Sequence, residues 1–308
     1  MTADETAYQP PETPLSQVLR LPDGPVDLAS HDPRATPGYP GQGKKDADAV
    51  RLAIEPELSE LQERLYASGR SGVEGTPSVL VVLQGMDTSG KGGIIRHAIG
   101  MVDPQGVQLK AFKAPTEEER AHHYLWRIRT ALPQPGMIGI FDRSHYEDVL
   151  VPRVRGELDE DAVGRRLAEI AQFEQELVSG GTRLVKCFLH ISADKQLERL
   201  MERLDSPDKH WKYNPGDVDS RRDWPAYQRA YTEVLGATST ATAPWYVIPA
   251  DRKWYRNWAV AQLLLEQLRA LDLQWPRADF DVAVEKERLA ATRDVAGVWT
   301  AVLRRRRR

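Results

Sequence analysis

An apolar β-branched run, Val79 to Leu83, passes through Gln84 into Gly85-Met-Asp-Thr-Ser-Gly90-Lys91-Gly-Gly93 and then into an apolar helical pattern. A buried strand that turns on glycines and restarts as a helix is the architecture of a phosphate-binding loop. Glycine lets backbone N–H groups crowd around an anion where a side chain would clash. The new helix adds its orphan N–H groups and the positive end of its dipole, and Lys91 supplies a mobile charge. Gly85-x4-Gly90-Lys91 fits the loop pattern, with Gly92 where Ser or Thr normally ligates magnesium. Gly85, Met86, Thr88, Ser89, Gly90, Gly92 and Gly93 are therefore candidate phosphate contacts. The plain alternative is a strand-to-helix turn with a solvated lysine. The strand before and the helix after are the context a phosphate loop demands.

The rest of the chain repeats this alternation. Short apolar runs lie at about 78–83, 107–112, 137–141, 184–191 and 245–248. Helical patterns lie at about 47–67, 92–101, 116–131, 161–179, 194–204, 225–235 and 257–271. In the fourth of these, Val163, Leu167, Ile170, Phe173 and Leu177 form one stripe. Strands alternating with helices imply βαβ units and a parallel sheet covered on both faces. The expected fold class is α/β in three layers, with ligands at the carboxyl ends of the strands. A length of 308 residues with 41% hydrophobic content fits one large domain with extensions. Three parts are expected: an extended arm over 1–45, rich in Pro, Gly, Asp and Thr; the α/β domain over 46–275; and a helical extension with a basic tail over 276–308.

Composition also excludes function classes. The formal net charge is −3, and removing the five terminal arginines, Arg304 to Arg308, leaves −8. The chain is thus no broadly basic nucleic-acid binder, and any cationic surface is local. The single cysteine, Cys187, rules out an internal disulfide and sits in an apolar run, which reads as core in a reducing compartment. No run approaches a membrane span, and the N-terminus lacks the features of a signal peptide. A soluble cytoplasmic protein is the expectation.

A second constellation follows the third strand. Met137 to Phe141 runs into Asp142-Arg143-Ser-His-Tyr-Glu-Asp148. A carboxylate at the carboxyl end of a buried strand is where phosphate-loop enzymes hold magnesium. Asp87 lies inside the loop itself, so Asp87 and Asp142 are the candidate metal ligands, compensating for the absent hydroxyl at position 92. Arg143 can neutralise charge on a transferred phosphoryl group. The alternative is that Asp142 caps the next turn and Arg143 pairs with it. His145 and Tyr146 are weaker candidates, with a packed, hydrogen-bonded wall as their plain alternative. Farther on, 194–224 reads as helix, polar loop and helix between two strands, the outline of a lid. Arg199 and Arg203 share one face of its first helix, and arginine favours bidentate phosphate contacts. An ordinary solvated helical hairpin is the alternative.

Taken together, the segments resemble the polyphosphate kinase 2 family from about Ala47 to Leu271. The carriers are Leu83 to Lys91, Phe112 to Thr116, Leu125 to Arg127, Phe141 to Val149, Lys209 to Tyr213 and Ala243 to Trp254. Six elements in order are far more specific than any one. The resemblance implies a thymidylate-kinase-like P-loop fold with a helical lid. It implies magnesium-dependent phosphoryl transfer between inorganic polyphosphate and adenine nucleotides (ADP, AMP, ATP) by a homodimer or homotetramer. It makes Asp87, Lys91, Asp142 and Arg143 the catalytic group and Arg199 and Arg203 the lid arginines. Ser144 to Val149 and the Pro249 to Asn257 segment look like the subgroup that accepts AMP as well as ADP. Asp142 where Asn is frequent, Gly92 where Asp is frequent, His123-Tyr124 where Asp-Phe is usual and Arg129 where His is usual depart from it. Asp142 should strengthen metal binding; the other departures bear on acceptor choice more than on the reaction type. A polyanion also needs a cationic channel, for which Lys110, Lys113, Arg153 and Lys212 are candidates. Two other readings stay open: an ATP-dependent nucleoside monophosphate kinase, and a nucleotide or polyphosphate sensor without turnover.

Overall fold

The computed structural model describes residues 8, 10–22 and 24–292. Five strands form one parallel sheet: β1 (Ser78–Gln84), β2 (Val107–Ala111), β3 (Ile138–Asp142), β4 (Thr182–His190) and β5 (Trp245–Pro249). Their order is β2-β3-β1-β4-β5. All seven residues of β1 are buried, as its unbroken Val/Leu run requires of a strand with neighbours on both edges and helices on both faces. The chain order reverses about β1, with β2 and β3 to one side and β4 and β5 to the other. Such a reversal is where open α/β sheets leave a crevice for ligands.

Helices before and between the strands cover the sheet. In chain order they are α1 (Leu15–Val18), α2 (Ala47–Leu52), α3 (Glu55–Arg70), α4 (Lys91–His97), α5 (Glu117–Ala121), α6 (Trp126–Arg129), α7 (Glu147–Val154), α8 (Glu160–Ser179), α9 (Ala193–Asp205), α10 (Gly216–Arg222), α11 (Trp224–Thr238) and α12 (Lys253–Arg269). On one face α12 packs against α2, α3 and α4; on the other α7, α8 and α11 pack together. The α8 stripe is buried from Val163 to Leu177, and Asp159 caps that helix by accepting from Ala162 N. Residues 275–308 form a separate unit, whose described part carries α13 (Val282–Ala291). Arg304 to Arg308 lie outside the described residues. No helix among the described residues is long and apolar enough to cross a membrane.

The segment before α2 lies against the domain. Leu15, Leu19, Leu21 and Leu28 are buried in the core. Leu21 N donates to Trp245 O at 2.8 Å, and Val247 N donates to Leu19 O at 2.9 Å, an antiparallel bridge on the outer edge of β5. The Glu266 carboxylate accepts from the N–H groups of Leu15 and Ser16, both at 2.8 Å. Edge backbone and helix-start donors are thus satisfied together.

Three helical expectations need correction. The pattern at 47–67 breaks at Ala53–Ile54, because Pro56 can open a helix but cannot continue one. The pattern at 116–131 is two short helices. A capping box at Thr116 and Glu119 starts α5, and His122 then goes extended and stacks on Trp126 at 4.3 Å. Finally, α7 was not read from the sequence, since Pro152 in its second turn masks a helix that begins with Glu147 and Asp148.

One charged cluster lies wholly inside the core. Lys186 on β4 is 0% exposed and Glu174 on α8 is 1% exposed, with Lys186 Nζ 2.6 Å from Glu174 Oε2. Lys186 also donates to Thr238 O at 2.7 Å. Tyr146 donates to Glu174 Oε1 at 2.5 Å, and His145 Nε2 lies 3.2 Å from the same oxygen. Burial opposes charge on Glu174, and Lys186 and His145 hold its carboxyl below the usual range. Removing one partner of such a pair strands the other in a low-dielectric interior. Glu174→Gln or Lys186→Met alone is expected to lower stability by about 3–5 kcal/mol. The double variant Glu174→Gln/Lys186→Met should lose less than the sum of the two. Urea titrations of all four proteins check this; additive losses would contradict the coupling.

Candidate active site

The loop between β1 and α4 is held through its carbonyls. Gln196 on α9 donates to Asp87 O at 3.2 Å, and Arg199 on α9 donates to Thr88 O at 2.8 Å. Arg256 on α12 donates to Ser89 O at 2.9 Å. A trans peptide points its C=O and the following N–H in opposite directions. Holding the carbonyls of Asp87 and Ser89 therefore turns the N–H groups of Thr88 and Gly90 away from Gln196 and Arg256. Thr88 is left-handed at φ 63° and Gly90 at φ 114°. Strain at a non-glycine residue persists only where its surroundings impose it. Lys91 reaches back to Gly85 O at 2.9 Å, so its ammonium lies along the loop. Met86 points into the core.

The second motif meets this loop edge to edge. In the β1–β3 register Leu83 pairs with Asp142, so Asp142 emerges beside the start of the loop. Arg143 N donates to Leu83 O at 3.1 Å, and Arg143 is left-handed at φ 64°. That turn brings its guanidinium to Asp87, with Nη2 2.9 Å from Oδ1. Burial, and then the Arg143 charge, hold the Lys91 ammonium below the ordinary lysine range, while Asp87, Asp142 and Glu147 act in the opposite sense. Glu147 is pushed up, first by burial, against Arg143 and Lys91. Asp87, Lys91, Asp142, Arg143 and Glu147 therefore form one electrostatic unit. For His145 and Tyr146 the plain alternative holds: they form a packed, hydrogen-bonded wall that ties this motif to Glu174 and Lys186.

A cavity of about 580 Å³ opens in front of the loop. Asp87, Thr88, Gly90, Lys91, Gly92, Gly93, Asp142, Arg199, Arg203 and Lys212 line it, with Arg96, Lys209, Lys253 and Arg256. Eight lysines and arginines face three carboxylates there, Glu202 being the third. Local positive potential on a chain of net charge −3 suits a polyanion. Arg199 and Arg203 both reach the cavity, as their shared helix face implied. Arg199 is only 5% exposed, and its Nη atoms donate to the carbonyls of Thr88, Ser89, Ala250 and Asp251. It acts as a brace. Arg203 pairs with Asp217 at 3.1 Å and donates to Lys212 O, holding α9, the 3-10 turn at Pro207–Lys212 and α10 together. Lys212 stands over the Trp211 ring at 4.9 Å.

Arg153 is not brought to the cavity. It pairs with Glu160 at 2.7 Å and with Glu233 at 3.2 Å on the far side of α7. Sequence reasoning passed over Gln196, Glu147 and Arg256. Arg256 lies in the Pro249 to Asn257 segment, which the sequence tied to acceptor choice and not to the loop. A second cleft, of about 500 Å³, lies between α5, α6 and α8. Arg127 in its wall is 4% exposed and pairs with Asp148 at 2.8 Å.

The family model described as polyphosphate kinase 2 (PPK2) matches residues 43–276. The chain belongs to this family. Among curated polyphosphate kinase 2 relatives, the AMP/ADP-polyphosphate phosphotransferase of Meiothermus ruber is 46% identical over 258 residues, covering 84% of this chain and 94% of the relative. The ADP-polyphosphate phosphotransferase of Rhodopseudomonas palustris is 38% identical over 263 residues, covering 82% and 88%. A crystal structure of polyphosphate kinase 2 from Arthrobacter aurescens TC1 superposes with a TM-score of 0.88 at 49% identity, covering 92% of this chain and 99% of that one. The polyphosphate kinase 2 fold is thus an α/β fold here, with a five-stranded parallel sheet.

The loop glycines are not equivalent. A Cβ at Gly90 would lie 1.7 Å from Arg256 Nη1, whereas one at Gly92 meets nothing within 4 Å. Gly90→Ala is expected to destabilise the protein by about 1–3 kcal/mol, from left-handed strain alone, and to abolish anion binding. Gly92→Ala is expected to be neutral or stabilising by up to about 1 kcal/mol. Thermal melts and tripolyphosphate titrations of both variants check the contrast; equal losses would contradict it.

Proposed function

We propose that this protein is a polyphosphate:nucleotide phosphotransferase that makes ATP from ADP and ADP from AMP. The observation that carries the reading is the cationic cavity in front of a phosphate loop, with Asp87 and Asp142 at its mouth. The names of the Meiothermus ruber and Rhodopseudomonas palustris relatives support the substrate classes.

The donor chain would lie along the cavity with its terminal phosphate on the loop N–H groups and Lys91. An oxygen of the nucleotide's terminal phosphate attacks that phosphorus. A new P–O bond forms, the P–O bond to the bridging oxygen breaks, and the shortened polyphosphate leaves with the electron pair on that oxygen. The attacking oxygen is already anionic, so no strong base is required. Positioning and charge stabilisation carry most of such a reaction. Arg143, held on Asp87, would offset charge at the transfer point, and Arg203 and Lys212 extend the positive wall toward the lid, which we place at about 194–224.

Among the described residues no cluster of three or more His, Cys, Asp or Glu makes a ready-made metal cage. Magnesium held on phosphates needs only one or two carboxylates, and Asp87 and Asp142 supply hard oxygens of that kind beside the loop. When bound there, magnesium would offset the negative charge of the phosphates. We place the active species in the cytoplasm as a homodimer or homotetramer, on the family resemblance.

The test is a nucleotide chromatogram from the purified protein with magnesium, polyphosphate and AMP or ADP in separate tubes. ADP and ATP are expected from AMP, and ATP from ADP, with nothing formed when polyphosphate is left out. Turnover with ATP plus a nucleoside monophosphate but none with polyphosphate would make it an ordinary nucleotide kinase. Binding without product would make it a sensor. Lys91→Met and Asp142→Ala should each lower kcat by roughly 100-fold or more with little change in melting temperature. Wild-type turnover in either would overturn their catalytic assignment.

A further inference from the structure

Arg256 is buried where a charge is hardest to hold. It is 3% exposed, and its guanidinium donates to Ser89 O at 2.9 Å and to the side-chain oxygen of Asn257 at 2.9 and 3.3 Å. Both acceptors are neutral. No carboxylate pairs with it among the described residues, and the charged group that acts on it is another cation, Arg199. Burial, and then Arg199, push its pKa down to about 9. A charge is seldom buried without a counter-charge, and an anion in the cavity in front of the loop would supply one. That cavity is lined by Arg256 itself.

The backbone is built around this side chain. A Cβ at Gly90 would lie 1.7 Å from Nη1, and one at Gly93 would lie 2.5 Å from Nη2. Gly90 and Gly93 are thus the clearance through which the guanidinium reaches the loop carbonyl of Ser89. Gly92, between them, faces open space. Two of the glycines in the Gly90-Lys-Gly-Gly93 run answer to a residue more than 160 positions later in the chain.

We propose that Arg256 is a positioning residue for the donor polyphosphate: it fixes the Ser89–Gly90 peptide with its N–H toward the phosphate and is the buried cation whose charge that phosphate neutralises. This rests on the assignment of the loop to polyphosphate made above. With no protein carboxylate beside it, Arg256 becomes half of a compensated pair when the anion binds. Its contribution is therefore to affinity for the anion more than to the stability of the empty fold. A purely structural arginine would do the reverse.

The experiment compares wild type, Arg256→Met, Arg256→Lys and Gly93→Ala. Each is melted with and without saturating tripolyphosphate, and each is assayed for kcat and for KM toward polyphosphate. Arg256→Met is expected to melt close to wild type when empty, to lose most of the tripolyphosphate-induced rise, and to show a KM about tenfold or more higher. Arg256→Lys should recover part of that loss. Gly93→Ala displaces the guanidinium without removing its charge, and should raise KM even if Arg256→Met fails to fold. The proposal is overturned if Arg256→Met binds tripolyphosphate as wild type does. It is equally overturned if Arg256→Met melts far below wild type while Gly93→Ala keeps a wild-type KM. Absence of polyphosphate turnover in the wild type would instead overturn the functional reading, and the tripolyphosphate melts would still report on Arg256.

Discussion

The site depends on one pairing, that of β1 with β3. Because Leu83 lies opposite Asp142 in a parallel register, two loops leave the sheet side by side. One carries the glycines and Asp87, the other Asp142, Arg143 and Glu147. Shifting the pairing by one residue would exchange the faces of β3 and send Asp142 into a helix layer. The register is fixed from outside the site, by apolar residues such as Val79, Val81, Ile138 and Ile140 that are fully buried. Core packing therefore sets the position of the chemistry.

Charge is then distributed in two tiers. The deeper tier is the Glu174–Lys186 pair with His145 and Tyr146, where every charged group has a partner of opposite sign. It anchors the second motif to the sheet and to α8. The shallower tier, around the loop, is deliberately unequal, with cations in excess and Arg256 unpaired. A closed network suits a scaffold, since each member is satisfied without a ligand. An open one suits a binding site, since the ligand completes it. Arg199 lies between the two tiers, buried like the first and facing the cavity like the second.

Much of this was legible because its signals are local. A strand, a glycine turn and a helix in succession identify the loop, and the acidic residue after Phe141 identifies the second motif. What was not legible depends on which partner a charged side chain finds. Arg153 and Arg203 look alike in sequence; one pairs with Glu160 and Glu233 behind α7, the other with Asp217 beside the cavity. The spacing of Arg199 and Arg203 placed both on one face, yet not that Arg199 would donate to four carbonyls. Arg256 could not be found by spacing at all, because it meets Gly90 and Gly93 only through the packing of α12 on α4. The break at His122 likewise comes from contacts made by side chains. Tyr124 reaches Glu169 on α8 at 2.9 Å, and Arg127 reaches Asp148.

We propose that donor phosphates sit on the loop and that Asp87 and Asp142 hold the divalent cation. Crystals grown with tripolyphosphate and manganese, a magnesium substitute visible by anomalous scattering, test it most directly. The account requires phosphate density at the N–H groups of Thr88 and Gly90 and at Lys91, and an anomalous peak bonded to a carboxylate oxygen of Asp87 or Asp142. Phosphates found instead in the cleft between α5, α6 and α8, or a metal bound away from both carboxylates, would contradict it.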